Sequence, residues 1–149
     1  MTVRVSKDQL SDTFRLLRDC GRCERECQVL WLSAWHDPDR IVRVLHSEHA
    51  GHAYGFRLDT DFINRLWLDL AEQGLGVRAQ VHTHPGDAFH SKTDDDWPIV
   101  HTAGFLSLVI PDFARGTVGL ERAFVACIEA DGRWGERQAP EAFELEEEA

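Results

Sequence analysis

The run from Thr60 to His82 constrains the fold most, because an apolar helical stripe there stops on a glycine and an alternating strand begins almost at once. Ile63, Leu66, Trp67 and Leu70 recur at i, i+3, i+4 and i+7, and Gly74 stands where a helix commonly ends. Val77, Ala79 and Val81 then alternate with Arg78 and Gln80 up to His82, the period-two pattern of a strand running into a loop.

Other segments extend this pattern. Ser6 and Gln9 form a capping-box signal, and Leu10, Phe14 and Leu17 follow as one apolar stripe that Gly21 closes. Val29–Leu32 and Ile41–Leu45 are short runs of β-formers around the turn-like His36-Asp37-Pro38-Asp39, which predicts two adjacent strands. Further strands are expected at Phe105–Ile110 and Ala123–Ile128, with Asp131-Gly132 turning into a short last strand around Trp134. Helices interspersed with strands imply an α/β fold, a mixed sheet covered by helices. At 149 residues the chain suffices for one domain that buries roughly two-thirds of its unfolded surface. We place that domain at residues 1–140 and read the glutamate-rich 141–149 as a solvated or frayed tail.

Sixteen basic against 26 acidic residues give a net charge of −10, which repels a phosphate backbone and disfavours nucleic-acid binding. A basic protein partner suits such a surface better. The first residues lack a signal-peptide apolar stretch and no later run approaches membrane-spanning length, so a cytoplasmic protein without membrane association is expected.

The chemistry concentrates in His82-Thr83-His84-Pro85 and the loop up to Asp94-Asp95-Asp96. Residues two apart on a strand share a face, so His82 and His84 can turn both imidazoles to one metal ion. Pro85 and Gly86 break the strand, and the following loop is long enough to return a carboxylate, Asp94 or its neighbour Asp95. Two histidines and one carboxylate leave a tetrahedral zinc one position short, as in catalytic sites, where bound water reaches a pKa of about 7. The acidic cluster falls where Ser91 or Thr93 could begin a short helix.

His82-x-His84-Pro85 followed by Ser91-x-x-Asp94 resembles the signature of the JAMM (JAB/MPN) metallopeptidases. The resemblance covers about Glu26 to Ile128 and implies a single JAB/MPN-like domain of cytidine-deaminase-like layered architecture. It also implies one zinc ion held by His82, His84 and Asp94, with Ser91 stabilising the oxyanion and an upstream glutamate serving as general base and acid. Glu26, just before Val29-Leu30-Trp31, matches that glutamate, and Glu24 is a competitor two residues earlier. Two departures stand out: Val29 replaces a glycine often found after the glutamate, and five residues rather than six separate Pro85 from Ser91, with His90 directly before the serine. The implied activity is hydrolysis of an amide or isopeptide bond at the C-terminus of a ubiquitin-like or sulfur-carrier protein, with an activating or conjugating enzyme as a further partner. The alternatives are a non-catalytic scaffold that binds a partner through its sheet, and a peptidase acting on small peptides.

Cys20, Cys23 and Cys27 could form half a structural zinc site or a redox pair, but no second half follows and Cys127 is the only other thiol, so reduced cysteines are expected. His46, His49 and His52 read as a solvated loop. Trp31, Trp35 and Trp67 are expected in the core or lining a groove, and Trp97 near a substrate. A zinc deaminase is disfavoured, since no Pro-Cys-x-x-Cys follows the histidines.

Overall fold

The computed structural model describes residues 2–22, 24–47, 49–52, 55–96 and 98–147. Cys23, Trp97, Glu148 and Ala149 therefore lie outside the described residues, as do the side chains of His49 and His52.

Strand β1 (Val3–Ser6) runs into helix α1 (Lys7–Gly21) through the expected capping box, in which the Ser6 hydroxyl accepts from the Gln9 amide and the Gln9 side chain accepts from Ser6 N–H. Strands β2 (Gln28–Ala34) and β3 (Asp37–His46) form the expected adjacent antiparallel pair. A small hairpin, β4 (His49–His52) and β5 (Gly55–Leu58), precedes α2 (Thr60–Gln73), which Asp59 caps at its N-terminus and Gly74 closes with φ +66. Then come β6 (Leu75–Thr83), the short α3 (Lys92–Asp96), β7 (Leu106–Ile110), β8 (Phe124–Ile128), β9 (Trp134–Arg137), a single turn α4 (Ala139–Ala142) and β10 (Phe143–Glu146).

Among the described residues one mixed sheet has the order β10-β1-β3-β2-β6-β7-β8-β9. Central strand β2 is buried on both faces. Val29 and Trp31 pack with Leu10, Phe14 and Leu17 of α1, whereas Leu30 and Leu32 pack with Phe62, Leu66 and Leu70 of α2. One helix on each face makes the α/β layering that the sequence implied. Trp31 fixes the α1 layer by donating its indole N–H to Thr13 at 2.9 Å and meeting Phe143 edge-on at 5.7 Å.

Several expectations need correction. Residues 143–146 are not a frayed tail: they form β10, parallel to β1, and bury Phe143 against Trp31. Pairing with a sheet edge satisfies backbone groups and seats one apolar side chain, which outweighs the solvation of the flanking glutamates. The His49–His52 segment is a strand of a hairpin rather than a loop. Val77 does not share a face with Ala79 and Val81, because a bulge opposite Trp31 and Leu32 adds one residue to β6 and turns Val77 to the α2 side. Trp31 is core, but Trp35 and Trp67 are exposed. Cys20 and Cys27 are joined in a disulfide rather than reduced.

Candidate metal centre

Strand β6 ends between β2 and β7, and its last residues carry both histidines to the rim of the sheet. His82 is wholly buried, and His84 continues the same face one step beyond the strand. The chain past Thr83 is still held as if it were sheet: His84 N–H donates to Ile110 O at 3.0 Å, and Phe113 N–H donates to His84 O at 2.8 Å. The second bond comes from Asp112–Ala114, three consecutive residues with φ between 52 and 62 that form a left-handed turn around the His84 carbonyl. Nothing in the sequence announces that turn, since none of the three is glycine.

Strand β2 approaches from the other side with Gln28 opposite His82. Cys27 N–H donates to the Thr83 hydroxyl at 3.0 Å and Thr83 N–H donates to Cys27 O at 3.1 Å, extending the antiparallel register by one pair. One more step puts Glu26 opposite His84. Glu26 is only 5% exposed, and its carboxylate joins the ring nitrogens of His82 and His84 in a group whose atoms all lie within 4.8 Å of one another. Glu24 is exposed in the preceding turn, which favours Glu26 in the choice the sequence left open.

Asp94 comes from α3. Ser91 and Asp94 cap that helix reciprocally: Ser91 N–H donates to Asp94 Oδ2 at 2.9 Å, and Asp94 N–H donates to the Ser91 hydroxyl at 3.1 Å. The same carboxylate faces both histidines, with Oδ1 3.2 Å from His82 Nε2 and Oδ2 3.2 Å from His84 Nε2. Asp95 points elsewhere, its Oδ1 lying 2.6 Å from His90 Nδ1.

The donor set fits a tetrahedral divalent metal. The two imidazole Nε2 atoms are 3.3 Å apart, each lies 3.2 Å from a different oxygen of Asp94, and the Glu26 carboxylate completes a compact group with both rings. Ligands about 2.0–2.1 Å from one ion at tetrahedral angles stand about 3.3 Å from each other. Protonation states fit as well. Burial pushes the His82 imidazole toward its neutral form against the opposing pull of Asp94. Burial works to raise Asp94 too, but hydrogen bonds from His82 and His84 hold its carboxyl well below the usual range. An ionised carboxylate and a neutral imidazole are the forms that bind metal, and an ion would take the place of the Nε2 protons that these hydrogen bonds use. Glu26 differs, because burial raises its carboxyl to about 7, partly opposed by His84 and reinforced by Asp94.

A polar network that sequence reading missed fixes the loop. His90 takes Asp95 at Nδ1 and approaches the Ser107 hydroxyl of β7 at 2.9 Å through Nε2, while Gln80 of β6 donates to the same hydroxyl at 3.0 Å. The His90 ring stacks on Phe124 at 5.9 Å and meets Trp134 edge-on at 4.7 Å, and Trp134 donates its indole N–H to Asp95 O at 3.0 Å. The histidine before Ser91 thus ties the loop that carries Asp94 to β6, β7 and β9. Phe89 meets the His84 ring edge-on at 4.7 Å and remains 53% exposed at the rim.

The chain is 31% identical over 140 residues, 91% of its own length and 86% of the relative's, to a "Probable metalloprotease y4jG" of Sinorhizobium fredii. It belongs to that metalloprotease family. No family model matches the chain. The JAMM/MPN kinship suspected from His82-x-His84-Pro85 and Ser91-x-x-Asp94 agrees with the relative's name. Among solved structures, protein DSY2949 of Desulfitobacterium hafniense shares the fold, with a TM-score of 0.67 and 17% identity over 99% of this chain and 94% of that one. A Salinibacter ruber protein shares it with a TM-score of 0.59 and 17% identity over 92% and 89%. No helix of the described residues is long and apolar enough to cross a membrane.

Proposed function

We propose that the protein is a JAMM-type zinc peptidase of the cytoplasm that hydrolyses an amide or isopeptide bond at the C-terminal end of a ubiquitin-like or sulfur-carrier protein. The observation that carries this reading is the juxtaposition of two kinds of carboxylate. Asp94 is ionised between the imidazoles of His82 and His84, and Glu26 beside them is poised to titrate near neutrality.

His82, His84 and Asp94 would hold the zinc, which would supply Lewis acidity and lower the pKa of a bound water to about 7. Glu26, buried beside both imidazoles, would take the proton from the attacking water and return it to the leaving amine. The Ser91 hydroxyl already accepts from Asp94 N–H, which leaves its own proton to donate to the developing oxyanion. Phe89 at the rim offers an apolar contact to the substrate backbone, and the charge of −10 favours a basic partner surface.

The test compares a ubiquitin-like fusion with a free C-terminal peptide, each incubated with parent, Glu26→Gln and His82→Ala proteins, with and without chelator. Cleavage of the fusion that is lost with chelator and in both variants, while Glu26→Gln retains its zinc, is the expected result. Equal rates for parent and Glu26→Gln would sink the role of Glu26, and preference for the short peptide would sink the modifier substrate.

A further inference from the structure

The disulfide Cys20–Cys27 has a third neighbour that a disulfide does not need. His46 directs Nε2 to within 3.4 Å of the Cys27 sulfur, and the two sulfurs and that nitrogen all lie within 4.8 Å of one another. The three residues come from separate parts of the fold: the last turn of α1, the lead into β2 and the end of β3. Their backbones are fixed. Cys27 is tied to Thr83 through both of its backbone groups, His46 pairs with Val29, and the Ser47 hydroxyl donates to Gln28 O at 2.9 Å.

From this cluster we infer a second metal site, in which the reduced thiolates of Cys20 and Cys27 and the imidazole of His46 supply three of the four tetrahedral positions of a borderline-soft divalent ion such as zinc, solvent taking the fourth. The Cα atoms of the cysteines are 6.2 Å apart, which leaves room for thiolates to rotate about a shared ion without backbone movement. The sulfur–nitrogen separation of 3.4 Å is close to the roughly 3.5 Å expected of two tetrahedral ligands with bonds of about 2.3 and 2.0 Å. The site is distinct from the first. Cys27 packs in the core cluster on the α1 face, whereas its neighbours Glu26 and Gln28 turn to the face of His82.

Conversion between the two states balances as an ordinary exchange. A dithiol reductant gives two electrons and two protons to the Cys20–Cys27 bond, yielding two thiols and the cyclic disulfide of the reductant. Metal binding then releases both protons to solvent and leaves two thiolates on the ion. A third ligand that the cysteine spacing lacks in sequence is supplied by a histidine 19 residues beyond Cys27 on a neighbouring strand.

The experiment uses the full chain, reduced anaerobically with a dithiol and loaded with cobalt or with zinc. Thiolate-to-cobalt charge-transfer absorption is expected in the parent and in His82→Ala, and its loss in His46→Ala and Cys27→Ser. Elemental analysis of zinc-loaded His82→Ala should find one equivalent, and of the His82→Ala/His46→Ala double variant none. Because Cys27 is buried, a second readout on the parent guards against misfolded variants: in the reduced protein zinc should slow alkylation of the half-buried Cys20, and chelator should restore its rate. Absence of the cobalt band in fully reduced parent, its survival in His46→Ala, or alkylation unaffected by zinc would each overturn the assignment.

Discussion

At Glu26 burial acts on stability and catalysis in opposite senses. Its folded carboxyl titrates near 7 and its unfolded one near 4.5, so the folded chain holds the proton more tightly. Stability from this group is complete below about pH 4.5 and is lost as pH rises to 7, because the ion must then exist in a desolvated place. In metal-free protein Glu26→Gln should therefore gain on the order of 2–3 kcal/mol over the parent at pH 8 and nothing at pH 4, measured by urea unfolding. An equal difference at both pH values would contradict the raised pKa. The same variant should retain metal while cleavage falls about 10²–10⁴-fold. For His90, whose ring joins Asp95 to Ser107, replacement by alanine should weaken metal binding about 10–100-fold in calorimetric titration without removing a ligand. The shared face of His82 and His84 was legible because residues two apart on a strand point the same way, whereas spacing alone left Asp94 and Asp95 open and only the fold turns Asp94 toward both rings. The His90 clamp was not, since its partner Ser107 lies 17 residues away on β7 and only tertiary pairing brings it near.

Among the elements, α1, α2 and β6 were legible from stripes or alternation and β2 and β3 from short runs of β-formers, although α1 runs through Gly21 and is capped by Arg22 with φ 50 rather than by the glycine. Elements built by long-range pairing were not. Strand β10 is four residues of alternating apolar and acidic side chains, and it exists because β1 offers a parallel edge and Trp31 a place for Phe143. Phe143→Ala should cost about 3 kcal/mol in denaturant unfolding and leave metal affinity unchanged, since the strand lies at the far end of the sheet from β6. The left-handed turn 112–114 was invisible for the converse reason: its residues take a conformation against their own preference. Ala114 has φ 62 and buries only a methyl group, so Ala114→Gly should stabilise the protein by about 1 kcal/mol in the same assay.

For the whole molecule, helices on both faces of one sheet force β6 into the centre, and the rim where it ends gathers residues from β2, β6, β7 and α3. Metal that binds only this assembled rim must stabilise the fold by mass action, by about 2.7 kcal/mol at a hundredfold excess over Kd. Direct sight of the ion is the sharpest measurement: anomalous diffraction at the zinc edge from crystals grown with zinc. A peak is expected about 2.0–2.2 Å from His82 Nε2, His84 Nε2 and an Asp94 carboxylate oxygen. Metal-replete crystals with no peak among those three side chains would contradict the assignment.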